Sequence, residues 1–478
     1  MNRFLLIVFS FLFLNTGQAQ MVVRTIHSFG AKGDGTANDH NAFMAAAEFF
    51  NKRGGNGILR IPAGTYLVGR QIINQTDPLR ARWHGLDVLS FKAVKNMTIS
   101  ADSGAVIKYV NGLRFGTFEP RTGNPRQGDA NFFDNRSAAN IGNCIYFENS
   151  ENILIEGIEI DGNSSNVFLG GYYGGIGRQL RHDGIHIKNS RKVTVQNVFV
   201  HHMSLDGICI ANEKSDIPDA IRLLGSRFNY NGRQGLSWIG GNDLYAQNCQ
   251  FNHTGKGRFH SAPASGVDVE AEVGPVRNGL FEHCEFVDNE GVCMVAESGD
   301  GADVTFNHCL FWSSTTWSIW VNKPGFTFNH CTVYGPVVHG YDANNEREAT
   351  KFYDCVFEDK PYHGKHPPEP FLINTNDRRR MRFENCQFTV NYKKLFWISG
   401  PNRPRAEENY QLINNNFVHN HTLHNNGDFV FVMRGVFYRN NNFWFSNRYF
   451  TEGCCSDTRI NMDGGGNSFH RWEGGGSR

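Results

Sequence analysis

Asn248-Cys249-Gln250-Phe251 opens a series of closely similar phrases, and the spacing of that series decides the fold. The phrase returns as His283-Cys284-Glu285-Phe286, His308-Cys309-Leu310-Phe311, His330-Cys331-Thr332-Val333, Asp354-Cys355-Val356-Phe357 and Asn385-Cys386-Gln387-Phe388. Successive cysteines lie 35, 25, 22, 24 and 31 residues apart. Without cysteine it continues at Asn414-Asn415-Asn416-Phe417 and Asn440-Asn441-Asn442-Phe443. Upstream counterparts are Gly157-Ile158-Glu159-Ile160, Asn197-Val198-Phe199-Val200 and Gly225-Ser226-Arg227-Phe228. A period in the twenties, carried by short strands rich in Val, Ile and Phe, marks a solenoid in which each repeat is one coil. Stacking places like over like, so the cysteines form an inward ladder of small apolar thiols, and the Asn or His before each takes a turn between two sheets. A metal-binding array would need ligands converging on one point, which an axial ladder does not offer.

Composition agrees with many short strands and turns: 52 glycines, 13% aromatic residues and only 19% charged residues. The formal charge of +1 points to neither nucleic acid nor an anionic membrane. Eleven cysteines form an odd set unlike a stapled mini-domain, and the adjacent Cys454-Cys455 stand outside the ladder. The first residues carry Arg3, an apolar run from Phe4 to Leu14 and the small-residue exit Gly17-Gln18-Ala19, the pattern of a signal peptide cut near Ala19 or Gln20. No later stretch approaches the roughly 20 apolar residues of a membrane-spanning helix. The expected product is a secreted or periplasmic monomer with a signal peptide over 1–20 and one domain over 21–478. That domain is read as a right-handed parallel β-helix, with an N-terminal cap over about 24–70 and coils over about 85–470.

In the cap, Asp39 is placed to cap a helix running through about Asn51, and Gly57-Ile58-Leu59-Arg60-Ile61-Pro62-Ala63-Gly64-Thr65-Tyr66-Leu67-Val68 reads as strand, turn, strand. Together with the opening Phe29-Gly30-Ala31-Lys32-Gly33-Asp34-Gly35, these residues resemble the N-terminus of the pectate-lyase-like superfamily, especially the polygalacturonase-type glycoside hydrolases. The resemblance covers nearly the whole chain as architecture. Hydrolases, lyases and phage tailspikes share its opening motif, so it speaks to fold more than to reaction.

A second phrase marks another strand of each coil: Asp183-Gly184-Ile185-His186-Ile187, Asp206-Gly207-Ile208-Cys209-Ile210, Gln234-Gly235-Leu236-Ser237-Trp238, Ser265-Gly266-Val267-Asp268-Val269 and Glu290-Gly291-Val292-Cys293-Met294. Side chains alternate along a strand, so Ile185, Ile187, Val267 and Val269 turn inward, while His186, Lys188, Asp268 and Glu270 turn outward. With coils about 4.7–4.9 Å apart, one face collects Asp183, His186, Lys188, Asp206, Gln234, Asp268 and Glu270. Glycosidic hydrolysis needs an acid and a carboxylate about 5 to 9.5 Å apart, a range that stacked coils supply. The expected catalytic set is therefore Asp183, Asp206, Asp268, Glu270 and His186. Arg181, Lys188, His202, Arg233, Gln234, Trp238, Tyr172, Tyr173 and Arg178 are the expected substrate-binding set.

Two inserted loops, 161–182 with Tyr172, Tyr173, Arg178 and Arg181, and 252–264 with Lys256, Arg258, Phe259 and His260, precede coils of this patch as cleft walls. Their aromatic rings suit sugar faces and their basic groups suit carboxylates or sulfates. Measured against the polygalacturonase pattern of Asn-Thr-Asp, Asp-Asp, Gly-His-Gly and Arg-Ile-Lys, Arg181-His182-Asp183 matches by its Asp and Leu205-Asp206 by its second Asp. Arg233-Gln234-Gly235 lacks the His, and no Arg-Ile-Lys follows. The leading expectation is a divergent hydrolase of an acidic extracellular polysaccharide, working without a cofactor or metal. The alternatives are a lyase or uronate epimerase, with His186, Lys188 or His202 as base and Ca²⁺ at Asp268 and Glu270, and a glycan-binding protein without catalysis. His201-His202 is set aside as a ligand pair, because neighbouring strand residues face opposite sides.

Overall fold

The computed structural model describes residues 21–126, 135–171, 180–258, 260–341, 346–375, 381–399, 410–420, 431–445 and 461–471. The signal-peptide region and Cys454-Cys455 lie outside them. One coil shows how the rest are made. Strand Ile185–Lys188 ends at Asn189 (φ 48°), strand Arg191–Gln196 ends at Asn197 (φ 52°), and Phe199–His201 completes the third side. Asparagine tolerates this left-handed conformation better than most residues, because its short polar side chain bonds locally. The residue before each repeat cysteine takes it too: Asn248, His283, His308, His330, Asp354 and Asn385 all have φ between 52° and 57°.

Each strand pairs in parallel with its equivalents above and below. Two of the three sides fuse into a 25-stranded sheet, since Gln234–Gln247 and Ser265–Glu282 run from one side into the next without a break. A six-stranded and an eight-stranded sheet make the third side, linked through bridges at Gln250. A separate five-stranded sheet, Gln71–Ile73, Trp83–Gly85, Arg114–Thr117, Ala138–Ala139 and Phe168–Gly170, includes antiparallel pairs that the repeat pattern does not foretell.

The core is a set of ladders. Phe281, Phe306, Phe328, Phe352 and Phe383 stack at 4.8, 4.9, 4.6 and 4.8 Å, the spacing of the coils themselves. Beside them the six repeat cysteines are buried as free thiols. Each donates to a carbonyl of the preceding coil, as Cys309 Sγ does to Phe281 O at 3.5 Å and Cys331 Sγ to Phe306 O at 3.4 Å. Further on, Asn415 and Asn441 occupy the same place and bond as an amide ladder, which keeps buried polar groups satisfied.

At the N-terminal end, helix α1 (His40–Lys52) buries Ala42, Phe43, Ala46, Ala47 and Phe50, an apolar stripe at helical spacing. Asp39 precedes it as expected, but its side chain does not cap. The carboxylate instead accepts the Lys32 and Gly33 amides at 2.8 and 3.0 Å, fastening the glycine-rich turn to the helix start.

Candidate functional site

Six strands of one side of the helix build the site: β1 (Ile145–Glu148), β2 (Ile185–Lys188), β3 (Asp206–Ala211), β4 (Gln234–Gln247), β5 (Ser265–Glu282) and β6 (Met294–Gly301). Register stacks Ile145, Ile185, Ile208, Leu236, Val267 and Met294 toward the core. The alternate row, Tyr146, His186, Cys209, Ser237, Asp268 and Val295, faces away from it. The fifth phrase is offset by two residues from its expected place: Val267 pairs with Met294, not Val292. A shift of two keeps every side chain on its face, so alternation alone does not reveal it. Glu290 consequently lies off this row and pairs with Lys256 at 2.6 Å.

Polar side chains at the strand starts tie coil to coil. Asn143 N–H donates to Asp87, Asp183 N–H to Asn143 Oδ1 at 3.1 Å, and Asp206 N–H to Asp183 Oδ1 at 3.3 Å. The other oxygen of Asp183 meets His186 Nδ1 at 2.8 Å. This contact orients the imidazole and directs Nε2 away from the carboxylate. The Tyr146 ring lies against His186 at 5.3 Å, and burial followed by the neighbouring Glu148 pushes its hydroxyl pKa up.

On the next coils Arg233 lies between acids, 3.8 Å from Asp206 and 3.5 Å from Glu270. Gln234 donates to Asp268 at 2.6 Å, Ser265 donates to Gln234, and Ser298 donates to Glu270 at 2.7 Å. Asp206 and Asp268 are 2% and 4% exposed, so both carboxyls are closed off from solvent. Burial pushes the Asp206 carboxyl well above the usual range; Arg233 opposes this, and Asp183 and Asp268 add to it. Asp268 is driven the same way, by burial first and by Glu270 next. Asp206 Oδ1, Arg233 Nε and Ser237 Oγ are buried without a hydrogen-bond partner among the described residues. Unsatisfied groups of this kind are costly in a core.

The structure thus brings together Asp183, His186, Asp206, Arg233, Gln234, Asp268 and Glu270. Trp238 does not join them. It is 1% exposed and stacks in register with Ile210 and Val269 inside the coil, where a Cβ on Gly279 would lie 2.6 Å from its ring. Its parity with Leu236 dictates this. Lys188 lies 3.5 Å from Glu148, and Arg181 pairs with Asp87 beside a cavity of about 390 Å³ lined by His84 and Asn140. His202 stacks on Tyr230 and bonds to His201, so it belongs to a different cluster. Tyr172, Tyr173, Arg178 and Phe259 lie outside the described residues. Arg258 donates to the Ser165 and Val167 carbonyls at 2.8 and 2.9 Å, tying the second inserted loop to the first. Tyr146 and Cys209 were not singled out from the sequence. Both are legible once Asn143-Cys144-Ile145-Tyr146 is aligned as the preceding coil.

Donor atoms of Asp183, His186 and Cys209 lie within 4.8 Å of one another. Burial, with Asp183 and Asp206 next, raises the Cys209 thiol well above its ordinary value, which opposes the thiolate a metal would require. Asp268 and Glu270, the pair suggested for Ca²⁺, are engaged by Gln234, Arg233 and Ser298.

Residues 176–357 match the family described as right handed beta helix region. No curated protein matches the sequence. Among solved structures, the N-terminal fragment of bacteriophage Phi29 gene product 12 is 14% identical, covers 93% of this chain and 70% of its own, and has a TM-score of 0.57. The A-module of the mannuronan C-5 epimerase AlgE4 of Azotobacter vinelandii is 15% identical over 83% of this chain and 95% of its own, with a TM-score of 0.44. PfbA, a surface adhesin of Streptococcus pneumoniae, is 14% identical over 90% and 91%, with a TM-score of 0.46. At 14% identity the Phi29 fragment speaks to fold alone. Among the described residues no helix is long and apolar enough to cross a membrane. The chain is a right-handed parallel β-helix.

Proposed function

We propose that this protein is an exported carbohydrate-active enzyme that moves a proton at the sugar carbon beside a uronate carboxyl, as a polysaccharide lyase or epimerase does. The observation that carries this reading is the 2.8 Å contact between Asp183 and His186 Nδ1. In neutral imidazole held this way, Nε2 carries the lone pair and serves as the base. Beside it, the Arg233 guanidinium and the neutral carboxyl of Asp206 suit the negative charge that grows on the substrate carboxyl as the proton leaves. Tyr146, its hydroxyl pKa pushed up, would return a proton.

Hydrolysis is the second reading, favoured by the raised carboxyls of Asp206 and Asp268, either of which would serve as the acid. Its base would have to be Asp183 or Glu270, and both are engaged by other groups. The test is incubation with a panel of acidic and neutral polysaccharides in D₂O, following reducing ends, the ultraviolet absorbance of unsaturated products and deuterium exchange into the sugar, with and without EDTA. Unsaturated products support the proposal. Reducing ends without unsaturation overturn it in favour of hydrolysis, and retention on a glycan column with no turnover in any channel, proton exchange included, favours a binder.

A further inference from the structure

His201 and His202 do not point to opposite sides. Strand Phe199–His201 ends at His201, and His202 takes the left-handed conformation (φ 54°), which turns its ring back toward its neighbour. The two Nδ1 atoms face each other at 2.6 Å. One coil below, in register with His201, stands Asp161, whose Oδ1 is 3.8 Å from His201 Nδ1. All three donor atoms lie within 4.8 Å of one another.

From this convergence we infer that Asp161, His201 and His202 form a binding site for a first-row transition-metal ion of the Zn²⁺ class. The site is separate from the acid–base cluster and does not depend on the reaction proposed for it. Two imidazoles and one carboxylate are the ligand types such ions favour. The surroundings fit as well. His201 Nε2 lies 3.3 Å from Glu159 Oε1, and a carboxylate on the far nitrogen of a ligating histidine fixes its tautomer with the lone pair on the near one. His202 is held in place by parallel stacking on Tyr230 at 5.4 Å, which in turn stacks on His253 at 4.6 Å. Lys108 takes Asp161 Oδ2 at 2.8 Å and leaves Oδ1 facing the histidines, where it also accepts the Asn163 amide at 2.8 Å. The His201 and Asp161 side chains are 10% and 14% exposed, so the site is enclosed but reachable.

An ion at tetrahedral Zn–N distances separates its donors by roughly 3.3 Å, so the rings need to part by less than about 1 Å. The bound ion would pin Asp161 to the His201-His202 segment that leads into Asp206.

The experiment is equilibrium dialysis of the tag-free, metal-stripped full chain against Zn²⁺, with His202→Asn and Asp161→Asn in parallel. Asparagine suits the left-handed position, and circular dichroism checks that both variants keep the strand signal. The expected result is one tightly held equivalent in the wild type whose dissociation constant rises at least tenfold in each variant. Co²⁺ should give tetrahedral absorption bands that the variants lack. Absence of Zn²⁺ uptake by the wild type, or equal uptake by the wild type and His202→Asn, would overturn the assignment.

Discussion

Replacing Asp268 by Asn should make the protein more stable at neutral pH. Asp268 is 4% exposed, and its carboxyl is pushed well above the usual range by burial and then by Glu270. The unfolded chain releases this proton near pH ~3.9, whereas the native chain holds it to higher pH. Native protein therefore binds more protons across that window. The stability contributed by the protonated group is complete below the unfolded value and is lost as pH rises through the folded value, at about 1.4 kcal/mol per pH unit. Asn has the same size, still accepts the Gln234 bond and cannot ionise. Thermal midpoints of wild type and variant measured from about pH 4 to about pH 8 should coincide at the acid end and diverge upward, the variant melting higher. Curves that stay parallel throughout would refute the claim that burial holds this carboxyl neutral.

Other expectations concern single side chains. His186→Gln should lower turnover by about 10²-fold or more with little change in substrate affinity, read from kcat and KM on the substrate identified by the panel. Trp238→Ala should cost about 3–5 kcal/mol of stability in urea unfolding, because it empties a core site, while KM measured below the melting range stays unchanged. Phe306→Ala, which breaks the stack between Phe281 and Phe328, should cost a similar ~3–5 kcal/mol and leave the distant Asp183–His186 pair active.

Much of the fold was legible because stacked coils repeat one chemical instruction. A small residue enters the core, a large ring follows it, and an Asn or His that accepts a left-handed turn precedes both. The outward face was less legible. Alternation assigns His186 and Asp268 to the outward face, yet the same rule applied to Leu236 buries Trp238, which stands instead in the expected substrate-binding set. The two-residue offset at Met294 left parity intact and so carried no sign in the pattern. His201-His202 misled for the opposite reason. The strand rule ends where the strand ends, and the left-handed residue that follows it reverses the direction of its side chain. The contacts of Arg233 with Asp206 and Glu270 join neighbouring coils, the second across the inserted 252–264 loop, and only the stacked register brings them within reach.

The central claim is that His186, held by Asp183, removes a proton from a uronate sugar. Its most direct test is incubation of wild type and His186→Gln with polyuronates in D₂O, followed by NMR of the polymer and its products. The account predicts loss of the proton beside the carboxyl, by deuterium exchange or by unsaturation, with wild type and neither with His186→Gln. Chain cleavage by wild type with that proton fully retained, or exchange undiminished in His186→Gln, would contradict it.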